Sequence, residues 1–112
     1  MARRKPKLGY VYLLHSKVES EMFKYGCTTL TPEKRCASVN HESKEFDFEV
    51  VASFKSFDIF YDEKKVKEEI LNFGCGYLGE IFDIGCDDDL NCRSDVISRF
   101  LSIGGIIGKG VK

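Results

Sequence analysis

The chain has 112 residues, the size of one domain, with 43% hydrophobic and 31% charged residues and 14 Phe and Tyr together. That composition excludes a disordered or collagen-like chain, and no uncharged apolar run approaches the roughly 20 residues needed to span a bilayer. The net charge is −1, unevenly spread: Arg3, Arg4, Lys5 and Lys7 lie in the first seven residues without an acid, and the remainder carries 13 basic against 18 acidic side chains, about −5. A short basic arm on a slightly acidic body is suited to touching phosphate. No small-residue cleavage site follows the arm, which argues against a secretory signal.

In chain order, residues 8–14 (Leu-Gly-Tyr-Val-Tyr-Leu-Leu) read as a strand, and residues 22–27 (Met-Phe-Lys-Tyr-Gly-Cys) as a second. The polar stretch between them suggests an antiparallel hairpin with a long loop. Residues 27–31 form a turn. Thr31 is then an N-cap, Pro32 the first helical residue and Glu33 an acid in the first turn, predicting a short helix to about Asn40. Phe46, Phe48, Val50, Ala52 and Phe54 alternate with more polar residues and predict a half-buried strand. Ile59, Val66, Ile70 and Phe73 recur at helical spacing over 58–73, closed by Gly74-Cys75-Gly76. Residues 80–84 read as a short strand, 85–91 as an acidic loop, and 94–101 as a last helix capped by Ser94 or Asp95. The expected domains are a basic arm at 1–7, a single domain at 8–103 and a flexible Gly-rich tail at 104–112. The order β-β-α-β-α-β-α predicts an α+β fold with a small, mainly antiparallel sheet flanked by helices.

Five cysteines, Cys27, Cys36, Cys75, Cys86 and Cys92, show no Cys-x-x-Cys spacing. An odd count without a framework predicts free thiols in a reducing, intracellular compartment. A zinc module using the last three with His15 or His41 lacks a recognisable spacing. The run Asp87-Asp88-Asp89 reads as a solvated loop. There is neither a Gly-rich phosphate loop nor a Ser-His-Asp spacing.

Two features stand out. Glu63 lies four residues after Ile59 and three before Val66, within the apolar stripe of its helix. A carboxylate there is paired, as with Lys67 one turn on, or aimed at a site where it holds a divalent cation. On the first strand Tyr10 and Tyr12 share one face, while Lys24 and Tyr25 take opposite faces of the second. Beside a Lys and an Arg, a phenol can accept or relay a proton.

The order Tyr10-Val11-Tyr12, then Lys24-Tyr25-Gly26, then Cys27-Thr28-Thr29-Leu30-Thr31-Pro32-Glu33-Lys34-Arg35, then Glu63 and Glu80-Ile81-Phe82, resembles the short, phage- and virus-type branch of the GIY-YIG nuclease superfamily. The resemblance spans residues 9–83. It implies a metal-dependent endonuclease hydrolysing phosphodiester bonds in DNA, with one Mg²⁺ or Mn²⁺ held by Glu63. By the same resemblance, Tyr12 helps position and deprotonate the attacking water. Lys24, in place of the family's second tyrosine, contacts phosphate or joins proton transfer. Gly26 allows close backbone approach, and Arg35 neutralises transition-state charge. The chain departs from the pattern where Tyr10 stands at the first motif's glycine and Lys67 stands nearest a histidine of the Glu helix. Tyr10, Tyr25, Asn40 and His41 are therefore auxiliary candidates, and Arg3, Arg4, Lys5 and Lys7 candidates for nucleic-acid contact. The acidic body and lack of a recognition domain imply weak binding, a homodimer, or a partner supplying specificity, with no membrane. The alternative is a catalytically weak domain of this kind that binds nucleic acid or protein.

Overall fold

The structure is a computed structural model, and it describes residues 7–19, 21–42, 44–73, 75–78, 81–83 and 89–107. In chain order the elements are β1 (Gly9–Ser16), β2 (Met22–Thr28), α1 (Pro32–Glu42), β3 (Phe48–Ser56), α2 (Ile59–Phe73), β4 (Cys75–Leu78), β5 (Ile81–Asp83) and α3 (Asp89–Ile107). The strands form one antiparallel sheet in the order β3-β1-β2-β5-β4, so the fold is the expected α+β class.

β1 lies between β2 and β3, and its six residues 11–16 are all buried. A strand covered on both faces needs no polar alternation, which is why Val-Tyr-Leu-Leu reads as a continuous apolar run. Val11 and Leu13 face one core, where α2 contributes Val66 and Ile70 and α3 contributes Val96, Phe100 and Ile103. Tyr12 and Leu14 face the other, where α1 contributes Cys36 and Val39. Adjacent β5 residues divide the same way, Phe82 joining the first core and Ile81 packing against the second. Each fully buried Val, Leu, Ile or Phe contributes about 1.5–3 kcal/mol, so this division over two layers is what fixes strand register.

β3 changes faces partway along. Its pairing with β1 steps from Leu13↔Ala52 to Leu14↔Val50, leaving Val51 as a bulge. Phe48 and Val50 therefore belong to the α1 side, while Ala52 and Phe54 belong to the α2–α3 side. The expectation of a single inward face from Phe46 to Phe54 is corrected by that bulge, and the strand begins at Phe48.

Three other expectations are revised. β4 occupies 75–78, which the sequence reading treated as the closing turn of a helix followed by loop. α3 begins at Asp89, within the expected acidic loop, and runs to Ile107, so residues 104–107 of the expected flexible tail are helical. At Gly104 a Cβ would stand 2.8 Å from Cγ of the Phe54 ring, so the glycine lets α3 pack closely on β3 there. Expectations for residues 1–6 and 108–112 lie outside the described residues.

α1 is held to β3 by a side-chain clamp. Asn40 Nδ2 donates to the Phe48 carbonyl at 2.8 Å, and Asn40 Oδ1 accepts from the Phe48 amide at 2.8 Å. Cys36 Sγ donates to the same carbonyl at 3.2 Å. Replacing Asn40 by Ala leaves a buried strand amide without this acceptor. We expect Asn40→Ala to cost about 1–3 kcal/mol, lowering Tm by about 4–8 °C per kcal/mol in a thermal melt.

Candidate active site

The β1–β2 ladder aligns Tyr10 with Thr28, Tyr12 with Gly26 and Leu14 with Lys24. Opposed residues share a face, so Tyr10, Tyr12, Lys24, Gly26 and Thr28 all lie on the α1 side. Tyr12 is only 1% exposed. Its ring occupies the space a side chain at position 26 would need: a Cβ on Gly26 would come within 2.6 Å of Tyr12 Cζ and closer still to the hydroxyl. The glycine that the sequence reading assigned to close backbone approach thus receives the tyrosine of the preceding strand.

Arg35 enters from the first turn of α1. Thr28 Oγ1 accepts from the Leu30 amide at 3.0 Å, turning the chain out of β2. Thr31 then caps α1, its Oγ1 accepting from the Lys34 amide at 3.2 Å and its carbonyl from the Arg35 amide at 3.1 Å. Arg35 is half-buried, and its Nη1 donates to Ser38 Oγ at 3.5 Å.

Glu63 enters from α2. Ser56, at the end of β3, donates its hydroxyl to Asp62 Oδ2 at 2.6 Å and accepts from the Asp58 amide at 3.0 Å. The Ile59 amide donates to the Lys7 carbonyl at 2.9 Å. These bonds fix the first turn of α2 from Ile59 to Asp62, immediately before Glu63, which is half-buried. Two carboxylates were compatible with the stripe from Ile59 to Val66, and the helix phase buries Asp62 rather than Glu63. Burial pushes the Asp62 carboxyl above its ordinary 3.8; the Ser56 hydrogen bond opposes the rise and the nearby Asp58 charge adds to it. Burial likewise raises the Cys36 thiol.

The register Gly9↔Ser56 and Tyr10↔Thr28 puts the exits of β2 and β3 at one end of the sheet. α1 and α2 both start there, on opposite faces, carrying Arg35 and Glu63 respectively. β5 pairs with β2 only from Met22 to Lys24, so the described pairing on that edge stops short of Gly26.

The auxiliary candidates divide. Tyr10 is half-buried on the Tyr12 face. Tyr25 is buried on the other face against Phe82, ring centroids 6.2 Å apart. Asn40 serves the β3 clamp, and His41 is exposed in the last turn of α1. Lys7 is exposed, while Arg3, Arg4 and Lys5 lie outside the described residues. The Ser56–Asp62 pair was not anticipated. Its signal is Ser56-Phe57-Asp58 ahead of an apolar run, an N-terminal helix signature.

Among the described residues no three His, Cys, Asp or Glu side chains gather into a metal cage. Glu63 offers one half-buried carboxylate, and a hard cation such as Mg²⁺ accepts one carboxylate when water and substrate phosphate complete its shell. The donor chemistry therefore fits a divalent ion completed by substrate. Neither Cys27 nor Cys36 is in a disulfide.

A two-faced antiparallel sheet, with a Tyr–Gly contact between its first two strands and the helices of Arg35 and Glu63 leaving one end, is consistent with the small GIY-YIG-like fold expected from the sequence. Residues 9–98 match the T5orf172 domain, and the chain belongs to that family. No curated protein and no solved structure matches it. Among the described residues, no helix is long and apolar enough to cross a membrane.

Two substitutions test this construction. Gly26→Ala should destabilise by about 1–3 kcal/mol through overpacking against Tyr12, and a double-mutant cycle should show that extra cost vanishing in a Tyr12→Ala background. Ser56→Ala should cost about 1–3 kcal/mol in denaturant unfolding, because it strips a buried carboxylate of its donor and α2 of its anchor.

Proposed function

We propose that this domain is an endonuclease that hydrolyses phosphodiester bonds in DNA, with one Mg²⁺ or Mn²⁺ held by Glu63. The observation that carries the reading is the shared face of Tyr12, Lys24 and Gly26 beneath α1, with Arg35 and Glu63 leaving the same end of the sheet.

The residues divide the chemistry. Arg35 presents a planar guanidinium to the phosphate, offsetting charge that builds on its oxygens as the nucleophile adds. Lys24 lies diagonally across the ladder from Tyr12 and binds a second phosphate oxygen. The Tyr12 phenol, shut off from bulk solvent, orients groups on its own face by hydrogen bonding. Glu63, just beyond the bonds anchoring α2, binds the divalent ion, which when present polarises the phosphate and steadies the leaving 3′-oxygen. Positioning and electrostatics supply the rate, with no covalent intermediate.

The burial of the Tyr12 hydroxyl favours one second reading: a member that binds nucleic acid without cutting it. Plasmid nicking with and without chelator separates the two. The nuclease reading expects metal-dependent nicking that falls at least about 10²-fold in both Glu63→Gln and Arg35→Ala, the scale of losing one preorganised charge contact. Wild-type nicking that persists in Glu63→Gln overturns the role of Glu63. Binding that survives both changes, with no nicking by the wild type, establishes the second reading.

A further inference from the structure

Beside the Tyr12 face lies a cleft of about 290 Å³, lined by Leu8, Gly9, Tyr10, Thr29, Lys55, Ser56 and Phe57. The Ser56 hydroxyl is taken up by Asp62, so the polar reach of the cleft comes from Lys55, Thr29 and Tyr10. Phe57 is 60% exposed and Leu8 65% exposed, a concentration of apolar surface that the core does not require. Tyr10 and Lys55 are directly opposed across the β1–β3 ladder and so share a face, which is the face of Tyr12.

We propose that this cleft is a nucleobase site: it receives one unstacked base next to the phosphate at the Tyr12 face, the base packing on Phe57 and Tyr10 and its phosphate meeting Lys55. Four observations point to this occupant. The volume sits at the small end of ligand clefts, which run from roughly 300 to 1,000 Å³, and suits one planar ring system with its sugar. Two aromatic side chains beside a lysine are the elements that single-stranded nucleic acid recognition uses, rings for stacking and cations for the backbone. Tyr10 and Tyr12 are two residues apart on one strand face, about 6.6 Å, so the cleft directly adjoins the face proposed to meet phosphate. The basic segment Arg3, Arg4, Lys5 and Lys7 leads in sequence directly into Leu8 on the cleft wall, and the Lys7 carbonyl is fixed by the Ile59 amide at 2.9 Å. An apolar cleft lined by Lys55, with Lys7 next in sequence to its Leu8 wall, fits an anion carrying flat rings better than it fits a neutral ligand.

The inference rests on the nucleic-acid part of the function proposed above and not on cleavage, and its test is read without catalysis. The chain contains no Trp, so Phe57→Trp places a single tryptophan, excited selectively over the tyrosines, in the cleft. In chelator, titration with oligothymidylate should quench that fluorophore, and a backbone-only strand of abasic residues should not. Phe57→Ala should weaken oligothymidylate binding about tenfold by fluorescence anisotropy, with an unchanged melting temperature because the ring is mostly exposed. Equal quenching by both strands, no quenching at saturation, or a Phe57→Ala affinity within twofold of wild type overturns the site. A wild-type dimer in sedimentation that Phe57→Ala converts to monomer also overturns it and assigns the patch to self-association. Nicking by the wild type with unaltered Phe57→Ala binding removes this inference alone, whereas quenching and weakened Phe57→Ala binding without nicking removes the cleavage reading alone.

Discussion

The contact between the Tyr12 ring and the bare backbone of Gly26 is the constraint on which the rest of the structure depends. It can form only if β1 and β2 pair in the observed register, with Tyr12 opposite Gly26. That register sends Val11 and Leu13 to the α2–α3 core and Tyr12 and Leu14 to the α1 core. A one-residue slip would exchange the two sets and place a tyrosine where the larger core needs aliphatic groups. It would also misalign Tyr10 with Thr28, and with it the exit of the chain toward α1 and Arg35.

The helices are then placed by small polar devices rather than by their own propensity. Thr31 caps α1, Asn40 clamps its far end to Phe48, and Ser56 ties β3 to Asp62 in α2. Each device lies within a few residues of a side chain proposed to act on phosphate. That arrangement matters because catalysis by positioning is sensitive to displacements of about 1 Å. A buried carboxylate such as Asp62 costs stability, and its Ser56 bond offsets part of that cost while fixing the helix phase that brings Glu63 to the edge of the apolar stripe.

How legible this was from residues alone varied by element. Thr31-Pro32-Glu33 announced α1 because capping chemistry is local, and the structure supplies the cap bond. The paired-strand start was legible from its apolar density. The bulge at Val51 was not, because a strand buried on one face before the bulge and on the other after it still alternates on paper. α3 was cut short because Gly104 and Gly105 oppose helix in isolation, whereas the close approach of Phe54 requires a residue without a side chain at 104. β4 was hidden by the glycines around Cys75, where pairing with β5 decides the conformation. Within the candidate site, the residue types and their order were legible, but not which of two adjacent carboxylates the helix would bury: Asp62 and Glu63 both satisfy the spacing, and only packing against β3 selects between them.

The central claim is that a divalent ion and a phosphodiester meet at the end of the sheet where α1 and α2 begin. Paramagnetic broadening of backbone amide NMR signals by substoichiometric Mn²⁺ tests it most directly. The account predicts selective loss of signals around Glu63, Gly26 and Arg35, abolished in Glu63→Gln while the fold is retained. Broadening that centres instead on the acidic run at 87–89, or that persists unchanged in Glu63→Gln, contradicts it.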